Sequence, residues 1–381
     1  LVGASSSSSL RRRLATSTAF DGLSSSSSVE TRPTPCTAMS DDEKLIADAA
    51  QHFAREVLAP RVRDMDAAAT LLPDIITGLF DAGLLGIEID EQFGGAGGSF
   101  VGSCLAIEEL SKVDPSVAVL VDIQNTLVNR CVSLYGTDAQ RATWLPRLAE
   151  STVGSFCLSE PSSGSDAFAL RTKAIKQDDS TWVLNGEKAW ISNAREAGLF
   201  LVFATVDKDA GYKGVTCFLV PADSPGLAVG PPEKKLGIKA SSTCPVVLND
   251  VKAHDVLGQV GKGYAMAISA LNEGRIGIGA QMVGLAAGAL ESTIPYLKER
   301  TQFGQPVFDF QGVHFPLAQL AADLRAARAL VYDVARFKEE ISLSSSSTDQ
   351  RALVRDAAMA KLVSCQVAER VASKCVELLG G

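Results

Sequence analysis

The feature that most constrains the fold is a change of hydrophobic period along the chain, from helical to β-like and back to helical. Residues 40–152 carry apolar side chains at helical spacing, as in the stripe that runs from Leu45 to Val57. Residues 153–260 resemble short strands separated by turns, and residues 261–381 return to the helical period. This order predicts an α+β multidomain chain with an all-helical N-terminal domain, a middle β-barrel domain and a C-terminal helical bundle.

Two local patterns predict how the elements are divided. In the β region, an Asn-Gly dipeptide at 185–186 separates the strand-like segments Thr181–Leu184 and Glu187–Ser192. Asn-Gly suits the positive φ angles of a tight type I′ turn, so these segments are expected to form a hairpin. At the start of the C-terminal bundle we expect two successive helices, Tyr264–Arg275 and Ile276–Thr301.

Residues 1–39 differ in composition from the rest of the chain. They contain two runs of five serines and the triplet Arg11-Arg12-Arg13, whereas acidic residues are sparse. This composition predicts an organellar transit peptide and a location in the mitochondrial matrix. A disordered low-complexity tail is the alternative. Because the sequence begins with Leu1 rather than methionine, we expect its natural start to lie upstream.

Charge and cysteine usage argue against several classes of function. The formal net charge is −8, and lysine and arginine form no continuous basic stripe, so nucleic-acid binding is not expected. No stretch reaches the roughly 18 apolar residues that predict a membrane span. The eight cysteines include no Cys-x-x-Cys pair and there are only three histidines, so no metal site is expected. Scattered cysteines of this kind indicate reduced thiols.

One segment at the start of the β region combines the features of a ligand-binding loop. Residues Phe156–Asp166 place hydroxyl and backbone N–H groups beside aromatic and aliphatic side chains. Such a mixture can seat a planar heterocycle with an anionic tail. A serine- and glycine-rich surface loop is the alternative. The segment Trp190–Asn193 has the same ambiguity, since a tryptophan there can equally belong to the core.

The segment Phe156–Asp166 also resembles the first signature of the acyl-CoA dehydrogenases, whose domain order is likewise helical, β and helical. Six further segments resemble motifs of that family and occur in the same order: Lys188–Asn193, Gly211–Gly214, Asn272–Gly277, Glu299–Gly304, Phe308–Gly312 and Leu378–Gly381. The resemblance spans residues 40–381. Within the family, the chain most resembles the mitochondrial short/branched-chain members.

The resemblance implies FAD as the cofactor. The residues that match cofactor-binding positions are Phe156, Cys157, Leu158, Ser159, Ser165, Trp190, Ile191, Ser192, Arg300, Gln302, Phe303, Gln311, Glu377, Leu378, Leu379, Gly380 and Gly381. Ser159 and Trp190 match contacts to the flavin ring, where hydrogen-bond donors stabilise negative charge on the reduced ring. Arg300 and Gln311 match contacts made across a subunit boundary, which implies a homo-oligomer, in this family usually a dimer of dimers.

The resemblance further implies an acyl-CoA substrate. The residues that match substrate-lining positions are Ser165, Tyr212, Tyr264, Asn272, Glu273, Gly274 and Arg275. The implied reaction is α,β-dehydrogenation of a short or branched-chain acyl-CoA to 2-enoyl-CoA, in fatty-acid or branched-chain amino-acid catabolism. A base removes the α-proton while the β-hydrogen leaves as hydride to the flavin, and electron-transfer flavoprotein accepts the electrons.

The catalytic base is the part of the family's site that the sequence does not match. In most members it is a glutamate that follows the Gly-Gly matched by Gly380 and Gly381, so we expect it beyond Gly381 and expect the chain as given to be inactive. Some members place it beside the arginine matched by Arg275, where Gly274 stands here. Glu273 is one residue away, a rotation of about 100° on a helix, and is the less favoured candidate. The alternatives are a non-catalytic flavin- or acyl-CoA-binding protein of the same fold and an acyl-CoA oxidase.

Overall fold

The computed structural model describes residues 38–341 and 347–380. The predicted transit segment, apart from its last two residues, lies outside the described residues, and so does Gly381. Within these ranges the α-helices are α1 (Asp41–His52), α2 (Val62–Ala68), α3 (Pro73–Asp81), α4 (Phe100–Ser111), α5 (Pro115–Asp122), α6 (Arg130–Tyr135), α7 (Asp138–Glu150), α8 (Gly263–Glu299), α9 (Gln311–Ile341) and α10 (Ser347–Leu379). Two of them continue in wider, π-helical turns, α1 over Phe53–Leu58 and α5 over Ile123–Asn129.

The strands lie between the α7 and α9 helices in the sequence. They are β1 (Val153–Cys157), β2 (Lys173–Lys176), β3 (Trp182–Ser192), β4 (Ala197–Thr205), β5 (Val215–Pro221), β6 (Leu227–Val229), β7 (Thr243–Ala253), β8 (Asp255–Leu257), β9 (Thr301–Gln302) and β10 (Gln305–Pro306). The predicted order of helical, β and helical segments along the chain is therefore confirmed.

The described residues fall into two compact units, each assembled from separate stretches of the chain. The first unit comprises residues 38–62, 99–118, 275–341 and 347–380, and the second comprises residues 63–98 and 119–274. The first unit is helical apart from the β9–β10 hairpin, and the second contains the large sheet.

Buried polar contacts and close backbone approach join the helices of the first unit. Glu108 on α4 is buried and accepts hydrogen bonds from the Tyr332 hydroxyl and from Arg328 Nε on α9, each at 2.8 Å. These donors replace the hydration that a buried carboxylate loses. Helix α8 approaches α4 so closely that a Cβ at Gly288 would lie 2.0 Å from the carbonyl oxygen of Lys112. Glycine at this position therefore sets the separation of the two helices.

The second unit is built around one mixed sheet with the strand order β6-β7-β3-β2-β4-β5-β8, and β1 pairs in parallel with β4. The central strands β4 and β5 bury apolar side chains, including Phe200, Phe203 and Phe218. Strands covered on both faces are continuous apolar runs in the sequence. Within the described residues the end strands β6 and β8 pair only with β7 and β5. The predicted β domain is thus present as an open half-barrel.

Two of the local predictions are wrong. Strand β3 continues through residues 185–186 instead of turning, because β2 and β7 pair with it on either side. The Asn185 side chain exchanges two hydrogen bonds of 2.9 Å with Asp250 of β7. Gly186 lies so near Thr172 that a Cβ would be 2.7 Å from its Cα. The two helices expected over residues 264–301 form the single helix α8, since glycine lowers helix propensity without breaking the hydrogen-bond ladder.

No helix within residues 38–341 and 347–380 is both long and apolar enough to cross a membrane. In the same ranges, no three side chains of histidine, cysteine, aspartate or glutamate are grouped as metal ligands would be. The cysteines in the described part of the chain are free thiols, and all except Cys365 are buried.

Asp122, at the end of α5, is a buried acid in the second unit. The hydroxyl of Thr126 donates a hydrogen bond to Asp122 Oδ1 at 3.0 Å. Burial raises the pKa of Asp122 to about 7, while the Thr126 hydrogen bond opposes the shift and the charge of Glu88 adds to it. Between the ordinary pKa of 3.8 and about 7, the folded chain holds a proton that the unfolded chain has released. Across that window the free energy of unfolding falls as pH rises, by at most about 1.4 kcal/mol per pH unit.

We expect the substitution Asp122→Asn to remove this decline, because the neutral amide keeps an acceptor for Thr126 at every pH. In chemical denaturation the variant should exceed the unsubstituted protein in stability by about 1–4 kcal/mol at about pH 8, and by little at about pH 5. Asp179→Asn, at an exposed position, is the matched control and should leave the pH dependence unchanged. An identical pH dependence in Asp122→Asn and the unsubstituted protein would contradict this account.

Candidate functional site

The structure places the ends of β1 and β3 side by side. The Ser155 hydroxyl donates to the carbonyl oxygen of Ser192 at 2.8 Å, and the backbone N–H of Ala189 donates to the carbonyl oxygen of Ser159 at 2.9 Å. The segments Phe156–Ser159 and Trp190–Ser192, which lie in two separate sequence motifs, are therefore neighbours in the second unit.

A buried amide on the π-helical turn after α5 fixes the position of β1. Gln124 accepts a hydrogen bond from Gly154 N at 2.8 Å and donates to the carbonyl oxygens of Leu148 at 3.0 Å and Thr152 at 3.1 Å. A Cβ on Gly154 would come within 2.4 Å of the Val128 side chain. Strand β1 therefore packs directly on this helical turn, which gives the candidate site a rigid support.

Trp190 combines a strained backbone with an exposed ring. Its φ is +61°, at a register shift between Lys188 and Ile191 where β3 bulges away from β7. A positive φ is rare for a bulky side chain and costs about 1–3 kcal/mol. The side chain is nevertheless 62% exposed, so burial in this chain's own core does not offset the strain. An exposed aromatic ring held in this way is typical of a ligand-binding surface.

Asn193 follows directly and is also left-handed, with φ of +60°, a conformation that asparagine tolerates better than most residues. It is buried, its backbone N–H donates to Ser242 O at 3.0 Å, and its Nδ2 donates to Gly154 O at 3.4 Å. Among the described residues its Oδ1 has no hydrogen-bond donor. Buried polar atoms are seldom left without a partner, so this oxygen is an exception among the described residues.

The polar loop after β1 is fixed at its base and open at its tip. Glu160 and Ser163 exchange backbone hydrogen bonds of 3.0 and 3.1 Å, and the Ser163 hydroxyl donates to Asp166 O at 2.6 Å. Ser165 lies between these anchors and is exposed. The loop thus presents its predicted ligand-contacting serine to solvent.

An aromatic cluster brings together two of the predicted substrate residues. The ring centroids of Tyr212 and Tyr264 lie 4.8 Å apart, and Phe168 lies 4.2 Å from Tyr264. Tyr212 is exposed, and the ammonium group of Lys213 lies 6.0 Å from its ring centroid. Phe168 was not predicted, since nothing local in the sequence indicates that the polar loop returns to this place.

The remaining predicted residues of the second unit lie on α8. Asn272, Glu273 and Gly274 are all buried. Arg130 Nε lies 3.2 Å from Glu273 Oε1 and 3.1 Å from Oε2, so the carboxylate is engaged in an ion pair. A Cβ on Gly274 would lie 3.1 Å from Leu127 Cδ2, which shows how closely α8 packs on the π-helical turn.

The other predicted residues that the structure describes belong to the first unit. They are Arg275 on α8, a group around the β9–β10 hairpin and a group at the end of α10. Arg300 precedes the β9–β10 hairpin, where Val307 N donates to its carbonyl oxygen at 2.8 Å. Gln302 and Phe303 lie in that hairpin, with Phe303 95% exposed at a φ of +53°, and Gln311 begins α9. The second group comprises Glu377, Leu378 and Leu379 at the end of α10 and Gly380 directly after it, with φ of +83°.

Family models of the acyl-CoA dehydrogenases match three parts of the chain: the N-terminal domain over residues 40–152, the middle domain over 155–251 and the C-terminal domain over 261–381. The mitochondrial short/branched chain specific acyl-CoA dehydrogenase of Bos taurus is 51% identical over 349 residues, which is 91% of this chain and 78% of that protein. The chain belongs to the acyl-CoA dehydrogenase family. The predicted family and its enzyme class, oxidoreductase, are confirmed.

Solved structures of acyl-CoA dehydrogenases have the same fold as this chain. Butyryl-CoA dehydrogenase from Megasphaera elsdenii has a TM-score of 0.86 at 36% identity, covering 90% of this chain and 89% of that one. A glutaryl-CoA dehydrogenase from Mycobacterium smegmatis in complex with FADH2 has a TM-score of 0.81 at 32% identity, covering 90% and 85%. The predicted fold class, with helical N- and C-terminal regions and a middle β region, is confirmed.

The residues of this acyl-CoA dehydrogenase fit a flavin. The exposed face of Trp190 offers an apolar platform, and Ser159 and Ser192 lie on the two adjoining strand ends. A planar ring system with polar edges is complementary to such a combination of one aromatic surface with hydroxyl groups.

Proposed function

We propose that this acyl-CoA dehydrogenase binds FAD and catalyses the α,β-dehydrogenation of short- or branched-chain acyl-CoA thioesters to 2-enoyl-CoA. The observation that carries the proposal is the strained, exposed indole of Trp190 beside Ser159 and Ser192. Strained backbone positions cluster at ligand-binding and active sites, so the strain at this exposed ring favours a ligand that covers it. The name of the Bos taurus relative supports the short- or branched-chain class.

In this proposal each residue of the β1 and β3 ends has a defined task toward the cofactor. Trp190 would cover the ring, and the hydroxyls of Ser159 and Ser192 would donate hydrogen bonds to it. Such donors stabilise negative charge that develops on reduction, which favours electron transfer to the ring. When bound, FAD supplies the acceptor for the substrate's β-hydride. Arg300 and Gln311 of a neighbouring subunit would bind the FAD pyrophosphate and adenosine, since the guanidinium fork pairs well with phosphate oxygens.

The acyl-CoA thioester would be bound by the remaining predicted residues. Tyr212 and Tyr264, backed by Phe168, form an aromatic wall, and Phe168 belongs to the same loop as the exposed Ser165, a combination suited to the pantetheine and nucleotide parts of CoA. Asn272, Gly274 and Arg275 match further substrate-lining positions of the family. Hydrogen bonds to the thioester oxygen stabilise the enolate that develops when the α-proton leaves.

We assign Glu273 a structural role in place of the role of base. Its carboxylate is buried and paired with Arg130, so proton abstraction would require breaking a buried ion pair. The base remains predicted as a glutamate beyond Gly381. Electron-transfer flavoprotein as acceptor, a dimer-of-dimers assembly and a mitochondrial matrix location complete the proposal. The dehydrogenase names of the relatives do not favour a non-catalytic protein.

A substrate panel on the natural full-length protein tests this function. Under anaerobic conditions, 2-methylbutyryl-CoA and butyryl-CoA should bleach the absorbance of the bound flavin, and the free acids should not. We expect kcat/KM for the short and branched thioesters to exceed that for octanoyl-CoA by about tenfold or more, since each misfitting methylene is worth roughly 1–3 kcal/mol. A protein that binds FAD but is reduced only by octanoyl-CoA would contradict the substrate class. A protein that binds no flavin would contradict the proposal as a whole.

A further inference from the structure

Lys188 lies on β3, two residues before Trp190, and its side chain is fully buried, with 0% exposure. A buried ammonium group is unfavourable unless it is paired and hydrogen-bonded. Its Nζ donates to Glu160 Oε1 at 2.8 Å and to the carbonyl oxygen of Leu158 at 3.1 Å. Glu160 is itself only 4% exposed, so the two charges form a dry ion pair.

The carboxylate of Glu160 extends this pair to a third segment of chain. Its Oε2 accepts a hydrogen bond from Arg171 N at 2.6 Å, and its Oε1 accepts one from Thr172 N at 3.0 Å. These two residues directly precede β2. Burial opposes ionisation of Glu160, but Lys188 and the N–H donors of these residues outweigh it and hold the pKa of Glu160 below its usual range.

The pair lies immediately behind the surface proposed to bind the flavin. Leu158 and Glu160 flank Ser159 in the sequence, and Lys188 bonds to both of them. The next residue, Ala189, donates its N–H to Ser159 O at 2.9 Å, and Trp190 follows. One ammonium group and one carboxylate therefore fix the backbone on both sides of Ser159 and the start of the bulge that carries Trp190.

We propose that the Lys188–Glu160 ion pair is a positioning device that holds Ser159 and Trp190 in the arrangement that binds the flavin ring. This inference rests on the proposed function, since it takes these residues as the flavin contacts. A role in stability alone would not need charges, because buried ion pairs can often be replaced by neutral side chains at little cost in stability. A role in positioning needs the directed hydrogen bonds that Lys188 makes to Leu158 and Glu160.

The test uses the full-length protein and the variants Lys188→Met and Lys188→Met/Glu160→Gln. The double variant removes both charges, and its amide oxygen can still accept from Arg171 N and Thr172 N. Hydrogen exchange of the flavin-free protein is followed in peptides covering residues 156–160 and 186–193. The FAD dissociation constant and the midpoint potential of the bound flavin are measured in parallel.

In both variants we expect hydrogen exchange in the two peptides to accelerate by about 10-fold or more. FAD affinity should fall by about 10- to 100-fold, because a misplacement of about 1 Å in a site can cost 100-fold. The midpoint potential should shift as the Ser159 hydrogen bond is displaced. The double variant should recover thermal stability relative to Lys188→Met without recovering FAD affinity.

Glu108→Gln provides the control, since Glu108 is likewise a buried carboxylate in an ion pair, here with the partly exposed Arg328 of the first unit. It should lower the melting temperature and leave the two peptides, the FAD affinity and the potential unchanged. The inference is overturned if Lys188→Met lowers the melting temperature but leaves hydrogen exchange in the two peptides, the FAD affinity and the midpoint potential unchanged. Failure of the unsubstituted protein to bind FAD would instead refute the proposed function, and the exchange data would then show only whether the pair holds the two segments.

Discussion

The substitution Trp190→Ala is expected to lower the FAD affinity of the full-length protein by about 10- to 100-fold, with little change in stability. Covering an aromatic ring of this size contributes about 1.5–3 kcal/mol, and 1.4 kcal/mol corresponds to a factor of ten in the dissociation constant. Because the side chain is 62% exposed, its removal leaves no cavity in the core. We therefore expect the free energy of unfolding of the flavin-free protein to change by about 0.5 kcal/mol or less.

The measurement is a fluorescence titration with FAD, paired with chemical denaturation of the flavin-free protein. Tyr296→Ala is the control, because that ring is 42% exposed on α8 and belongs to no predicted site. It should leave FAD affinity unchanged. If Trp190→Ala binds FAD as tightly as the unsubstituted protein, the indole does not cover the flavin and the proposed site is wrong.

The substitution Gly288→Ala should produce the largest loss of stability, about 3 kcal/mol or more. A Cβ there would lie 2.0 Å from Lys112 O and 2.8 Å from its Cα, and backbone atoms cannot rotate away. Helices α8 and α4 must then separate, which is a severe case of overpacking. Alanine has the higher helix propensity by up to about 1 kcal/mol, so propensity and packing oppose each other, and packing dominates.

Gly312→Ala is the matched control for this substitution. Gly312 lies in the first turn of α9, and its Cβ would meet no atom within 4 Å. That variant should be neutral or stabilised by up to about 1 kcal/mol, because the substitution lowers the entropy of the unfolded chain. Chemical denaturation of both variants separates the effects. Equal stability of Gly288→Ala and the unsubstituted protein would show that α8 and α4 are not in contact as described.

The class of fold could be predicted because hydrophobic period is a local property. The errors arose where tertiary pairing outweighs local preference. The Asn-Gly dipeptide at 185–186 favours a turn, yet pairing with β2 and β7 keeps β3 extended, and Asn185 uses its side chain to bond Asp250. The helix boundary predicted after Arg275 was also wrong, since α8 continues through that position and through the glycines on either side of it.

The candidate site was predictable only through the family resemblance. Its motifs identify Ser159 and Trp190, but the contacts between the β1 and β3 ends join residues 30 and 37 positions apart, which no local pattern reveals. The role of Lys188 was missed for a related reason. Along an unbroken strand, Lys188 points to the same face as the buried Leu184, so the alternation of side chains predicts a buried charge. The predicted turn at residues 185–186 interrupted the strand between them, so the alternation could not be followed to Lys188.

A crystal structure of the full-length protein with FAD tests the central claim most directly, because the claim concerns where the ring lies. We predict that the isoalloxazine ring covers the exposed face of Trp190, with the hydroxyls of Ser159 and Ser192 within hydrogen-bonding distance. A flavin bound elsewhere, with Trp190 still open to solvent, would contradict the account.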